Sequence, residues 1–160
     1  MILDERLEFA DATSVAAGTG TTVLGDVIDL GATPTTRDIG IGEPMWLVIQ
    51  TTTEVITGGA AGTIQFDVVS DSLATLGGAV VASCTLHATT GALVTDDAAL
   101  NDAKLNAGEV IMAIQLPAGT YERYLGILVT IGTTTVTAGA VNAFLTRDYA
   151  KWTAYADATN

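Results

Sequence analysis

The chain contains one cysteine and one histidine in 160 residues. The lone Cys84 excludes an intrachain disulfide, and we interpret it as a small apolar residue rather than a reactive thiol. The lone His87 has no second histidine or cysteine with which to share a metal ion, and no acid/base partner flanks it. We therefore interpret His87 as structural and predict no metal site and no cofactor.

Charged residues are also scarce, at 15% of the chain, and 18 acids against 6 bases give a net charge of −12. A nucleic-acid binder needs a basic surface to replace the counterions of the phosphates, and anionic lipid attracts basic segments. Neither nucleic acid nor a membrane is an expected partner. The sequence shows no signal-peptide pattern and no apolar run long enough to span a bilayer, so we expect the protein to be made and used without secretion.

Motifs of enzyme chemistry are missing as well. No serine lies in a Gly-x-Ser-x-Gly elbow, and the glycine-rich stretch 58–62 lacks the Lys-Ser/Thr of a phosphate loop. Paired carboxylates can hydrolyse glycosides, but the exposed aromatic platform that usually binds sugar is not evident, because aromatics are only 6% of the chain. The chain is predicted not to be an enzyme. Whether the acidic loop 96–109 binds calcium stays open, because its spacing matches no standard calcium loop.

What the chain does contain is Thr, Val, Ile and Gly, which favour strands separated by turns. Apolar and polar residues alternate most clearly over 62–69, where Ile64, Phe66 and Val68 share one face. Trp46 falls in an apolar strand and is expected in the core. Predicted strands cover 23–30, 44–51, 62–69, 79–86, 109–116, 124–131 and 139–146.

Seven or eight strands at even spacing predict an all-β fold, a jelly-roll-like β-sandwich. Residues 16–22 and 52–63 are read as loops, and 97–104 as one or two helical turns. We predict a single domain over 1–160, with residues 1–14 as an arm and 149–160 as a tail.

Chemical character concentrates in the C-terminal third, which holds half of the cationic residues and all four tyrosines. Interfaces use aromatic residues and Arg as anchors. Each segment also has a reading in which it serves the fold and not an interface. In residues 121–124, a tyrosine would lie at a strand corner and its hydroxyl would bond to the backbone. Residues 151–155 would form a tail that packs over the sandwich. The interface candidates are Leu3, Leu7 and Phe9 in the arm, then Arg37, Tyr121, Arg123, Tyr124, Arg147, Tyr149, Trp152 and Tyr155.

Five segments in order carry a resemblance to a known family. They are Val27–Gly31, Arg37–Glu43, Pro117–Leu125, Ala143–Asp148 and Lys151–Asp157. Together they resemble the capsid cement proteins of tailed phages, typified by the cement protein of a Bordetella phage. The resemblance spans about residues 27–157, although the loops at 52–62 and 73–95 have no counterpart that we can match.

This resemblance implies a jelly-roll-like sandwich without catalytic activity on the outside of an icosahedral head. The implied partners are the major capsid protein, whose neighbouring subunits it bridges, and a second copy of itself, with a homodimer favoured over a trimer. The protein would be made in the host cytoplasm and reside in the virion. The alternative is a carbohydrate- or receptor-binding β-sandwich module of a virion, for which Trp152 would be the contact residue.

Overall fold

In a computed structural model of the chain, the structure describes residues 5–31, 44–58, 60–95, 102–147 and 149. Within these ranges lie ten β-strands and four short helical segments, and no helix is long and apolar enough to cross a membrane. The strands are β1 Glu8–Ser14, β2 Gly20–Val23, β3 Ile28–Asp29, β4 Trp46–Thr57, β5 Gly62–Asp71, β6 Thr85–Thr89, β7 Leu93–Thr95, β8 Val110–Gln115, β9 Tyr124–Gly132 and β10 Val136–Thr146. The helical segments are α1 Leu76–Ala79 and the 3-10 turns Glu5–Leu7, Val81–Ser83 and Ala103–Leu105.

The strands form two antiparallel sheets. The first sheet has the order β1-β10-β4-β8, and the second has β2-β9-β5-β6, with β3 also on β9 and β7 also on β5. Since β2 and β3 share one edge of the second sheet, and β6 and β7 share the opposite edge, each pair acts as one interrupted strand. Counted in that way, the described strands follow the eight-strand order of a jelly roll, which confirms the predicted fold class.

The core lies between the sheets and follows the two-residue period of the strands. Ile64, Phe66 and Val68 of β5 are fully buried against side chains of the first sheet, including Leu47 and Val141. The strands predicted over 44–51, 62–69, 109–116, 124–131 and 139–146 are confirmed as β4, β5, β8, β9 and β10. The segment predicted over 23–30 is broken into the end of β2 and the two residues of β3.

The loop predicted over 52–63 is wrong, because β4 continues to Thr57 and β5 begins at Gly62. Val55 and Thr57 point inward and are buried, so the Thr-rich segment keeps the alternation of a strand. The loop predicted over 16–22 overlaps β2, which begins at Gly20. Of the helical segment predicted over 97–104, residues 97–101 lie outside the described residues, and Ala103–Leu105 form a single 3-10 turn.

The strand predicted over 79–86 is also wrong for most of its length. All four residues of α1 have positive φ values, from 47° to 70°, so the chain turns there in the left-handed sense. This turn lays Leu76 on the outer face of the second sheet, where Leu76, Val69 and Leu128 form a second buried cluster. Cys84 packs against this cluster, and burial raises the pKa of its thiol, which makes the thiolate rarer at neutral pH.

The prediction that residues 1–14 form an arm is wrong for residues 8–14. These residues pair with β10 as β1, an edge strand of the first sheet. The ring of Phe9 is 1% exposed within the domain's own core, so Phe9 is not available as an anchor on a neighbouring subunit. Leu7 is half-buried against the same core, and Leu3 lies outside the described residues.

Candidate functional site

Tyr121 closes one end of the sandwich. Its hydroxyl donates to the carbonyl oxygen of Pro117 at 2.7 Å, and its ring stacks on the ring of His87 with centroids 4.1 Å apart. The ring also packs against the main core, and burial raises the pKa of the phenol. This geometry is the strand corner considered in the sequence, in which a tyrosine bonds backbone to hold a turn. Tyr121 therefore fixes the loop that leads into β9.

His87 lies in this corner with two partners that the sequence did not reveal. Its Nε2 is 2.8 Å from the hydroxyl of Ser70 on β5, and that hydroxyl also accepts a bond from the backbone N–H of Glu122 at 3.1 Å. Burial lowers the pKa of His87, and the nearby carboxylate of Glu122 opposes this effect. Its two partners, Ser70 and Tyr121, are 17 and 34 residues away in sequence, so no local motif marks them.

A serine beside a histidine invites comparison with a catalytic pair. A nucleophile must reach its substrate, however, and Ser70 is 0% exposed. Its hydroxyl is also engaged with the Glu122 backbone. The pair is therefore suited to holding two strands, β5 and β6, to the loop before β9, and not to attacking a bound molecule.

Arg123 lies on the surface beside this corner. Its Nε and Nη2 donate to the two carboxylate oxygens of Asp29 on β3, at 3.0 and 2.9 Å, and its guanidinium lies 4.9 Å from the ring centre of Tyr124. The bonds to Asp29 raise the pKa of Arg123, so the group stays charged. Both side chains keep 44–45% of their surface exposed. Arg123 is thus oriented by its own domain and still accessible to a partner.

A notch of about 340 Å³ opens between β1 and the turn that joins β2 to β3. Gly25 makes this close approach possible, since it has φ +55° and a Cβ there would overlap the carbonyl oxygen of Phe9. The N–H of Asp26 donates to that same oxygen at 2.7 Å. Three acidic residues, Glu8, Asp11 and Asp26, are among those that line the notch. We call these three residues the acidic edge.

The remaining interface candidates are only partly placed. Tyr149 stacks on Trp46, with centroids 5.3 Å apart, and both are half-buried, so Trp46 is not a fully buried core residue as expected. Arg147 is exposed just after β10. The candidates Arg37, Trp152 and Tyr155 lie outside the described residues.

The described part of the acidic loop 96–109 offers no metal site. The Asp102 side chain accepts from the Lys104 backbone N–H at 3.0 Å and so caps the following 3-10 turn. Across the described ranges, no group of three or more His, Cys, Asp or Glu side chains is placed to hold a metal ion. Asp96, Asp97 and Asn101 lie outside those ranges.

Comparison with known proteins gives one informative match. The model of the Bbp16 family, which is named for a Bordetella phage protein, matches residues 9–145. No curated protein matches the chain. The matched range begins in β1 and ends in β10, so it covers all of the described sandwich except Glu8 and Thr146 at its ends.

Proposed function

The chain belongs to the Bbp16 family, whose name comes from a Bordetella phage protein, and it is a virion-associated structural protein of a phage. From this premise we propose that it is a capsid cement protein. In this role it binds the outer surface of an icosahedral head and stabilises the head by bridging neighbouring major capsid protein subunits. The ordered segments that resemble cement proteins, together with the family match over residues 9–145, carry the proposal. It performs no catalysis in this role.

The chemically distinctive side chains of the described residues are bonded within the domain, which supports a structural role. Tyr121, His87 and Ser70 are engaged with one another or with backbone at the end of the sandwich. Arg123 is held by Asp29 at the surface, where charged groups can meet a partner. An inert and tightly closed domain is what a shell needs in many copies.

The charge of the chain indicates the chemistry of the receiving surface. With a net charge of −12, the protein is attracted to basic patches on the capsid. The acidic edge lies where β1 meets the β2–β3 turn, and Asp11 and Asp26 are both exposed there. We therefore propose that the capsid contact lies at this edge.

The proposal is tested by titrating the purified protein onto undecorated, expanded capsids at several salt concentrations. We expect saturable binding that weakens as salt rises, because complementary charges are screened. The variant D11N/D26N should bind about tenfold more weakly. The variant E54Q/E109Q is the matched control, because it also changes the net charge from −12 to −10 but leaves the acidic edge intact.

Two results count against the proposal. If the wild-type protein shows no saturable binding at any salt concentration, it is not a cement protein. If the two double variants lose affinity equally, the capsid contact does not lie at the acidic edge.

A further inference from the structure

The first sheet has a second face, which points away from the main core. On β4, the side chains of Leu47 and Ile49 belong to that core. Successive side chains of a strand point to opposite faces. Trp46, Val48 and Gln50 therefore lie on the side of β4 that faces away from the core.

The neighbouring strand β10 presents residues on the same side. Ala143 and Leu145 belong to the main core, so Phe144 and Thr146 point away from it. Phe144 is paired with Val48 of β4 across the sheet, and Thr146 is paired with the first residue of β4. We call the set of five residues on this side the outer patch: Trp46, Val48, Gln50, Phe144 and Thr146.

Most of the outer patch is buried. Val48 and Phe144 are 0% exposed, Gln50 is 3% exposed and Thr146 is 4% exposed. Val48 and Phe144 belong neither to the main core nor to the second buried cluster. Side chains stand roughly perpendicular to a sheet, so neighbours in the sheet shield only their flanks, and full burial needs a layer on top. A further layer of chain therefore covers the outer patch.

Tyr149 shows where the chain runs after β10. Its ring stacks on the ring of Trp46, with centroids 5.3 Å apart, so three residues beyond Thr146 the chain already lies over the outer patch. We propose that the C-terminal segment 150–160 of the same copy continues across this patch and packs Trp152 onto Phe144 and Val48. This inference does not depend on the proposed function.

The distances allow Trp152 to reach these two residues. Phe144 lies two residues along β10 from Thr146, which corresponds to about 7 Å in a strand. Trp152 follows Tyr149 by three residues, and an extended chain of that length spans about 10 Å. A short extended run from Tyr149 is thus long enough to bring the indole ring above Phe144 and Val48.

The composition of the C-terminal segment also suits an apolar face. Outside the described ranges, the sequence has two aromatic residues, Trp152 and Tyr155, and both fall in this segment. A buried aromatic side chain removes about 150–250 Å² from water, which is enough to cover neighbouring apolar side chains. The segment 32–43 is also outside the described ranges, and its largest apolar side chains are Ile39 and Ile41. Its smaller apolar area makes it the weaker candidate for the covering layer.

This placement changes the role expected of Trp152. An indole ring packed on the outer patch is not available to a sugar, a receptor or a capsid subunit. The C-terminal segment would instead hold β4 and β10 together on the side away from the core. Trp152 would then act in the stability of the domain and not in recognition.

The fluorescence of Trp152 tests the inference in the full chain without capsids. The chain has two tryptophans, so W46F leaves Trp152 as the only one, while the new phenyl ring still offers Tyr149 a stacking partner. In folded W46F, we expect emission that is shifted to the blue of the urea-unfolded protein and is poorly quenched by acrylamide. Both properties should persist on dilution, because the segment belongs to the same copy.

Two fluorescence results would overturn the inference. If Trp152 of folded W46F emits and is quenched as in the unfolded chain, the segment does not cover the outer patch. If the shielding disappears on dilution, another copy of the chain provides it.

A double-mutant cycle tests the contact with Phe144 itself. The unfolding constant is measured in urea at one protein concentration for F144L, W152L and the double variant. Residues in contact are coupled, so the double variant should differ about threefold or more from the product expected for independent sites. The control cycle pairs W152L with F9L, because the ring of Phe9 is 1% exposed but lies on the core side of the same sheet.

The control cycle should agree with independent sites within about twofold. Independent effects of F144L and W152L, or equal coupling in the two cycles, would place Trp152 elsewhere and overturn the inference. None of these results decides whether the protein binds capsids, because that binding is measured separately.

Discussion

Replacing Gly25 by alanine tests whether the β2–β3 turn rests on β1 as described. Alanine must adopt the left-handed φ of +55°, at a cost of about 1–2 kcal/mol. Its Cβ would overlap the backbone oxygen of Phe9 and displace the turn, which breaks the bond from the Asp26 N–H to that oxygen. Leaving a buried acceptor without its partner costs about 1–3 kcal/mol. G25A should therefore lower the free energy of unfolding by about 2–5 kcal/mol.

The assay is thermal unfolding at one fixed protein concentration, because an oligomer's Tm depends on concentration. In a chain of this size, each kcal/mol shifts Tm by about 2–4 °C, so G25A should lower Tm by about 4–20 °C. G91A is the control, since Gly91 has φ +67° and a Cβ added there would meet no atom within 4 Å. G91A should lower the free energy of unfolding only by the cost of the left-handed backbone, about 1–2 kcal/mol. Equal losses in the two variants would refute the close packing that forms the acidic edge.

Two further predictions concern His87 and Phe9. Burial lowers the pKa of His87 in the folded protein, so the unfolded chain binds the proton more tightly. The free energy of unfolding should then fall as pH drops below about 6.5. Measured by urea unfolding, it should fall less in H87Q than in the wild-type protein between about pH 7.5 and pH 5. An identical fall in the two proteins would exclude a contribution from His87. F9A should cost about 3–5 kcal/mol because the ring is buried, whereas L73A should cost less than about 0.5 kcal/mol. A small loss in F9A would restore the view of residues 8–14 as an arm.

Local patterns predicted much of the fold. The alternation of apolar and polar residues in the first half of β5, and the apolar runs of β8, β9 and β10, are visible directly in the sequence because strand periodicity is a local property. The resemblance to cement proteins, which spans about residues 27–157, implied the jelly roll as well, and the sheet order agrees with it. Tyr121 in a strand corner was among the alternatives considered for its segment.

Long-range pairing accounts for what the sequence did not predict. Residues 8–14 read as an arm because only their register with β10, about 130 residues away, makes them a strand. Val80 and Val81 suggested a strand, but the left-handed turn at Leu76–Ala79 redirects the chain onto the outer face of the second sheet. The sequence around His87 shows no partner for it, because Ser70 and Tyr121 reach it from other parts of the chain.

The central claim is that the protein strengthens a phage head. The most direct measurement is the temperature at which undecorated, expanded heads break open, recorded as increasing amounts of the purified protein are added. A cement protein should raise this temperature in proportion to its occupancy, until the sites are saturated. Heads that bind the protein and still break open at the undecorated temperature would contradict the claim.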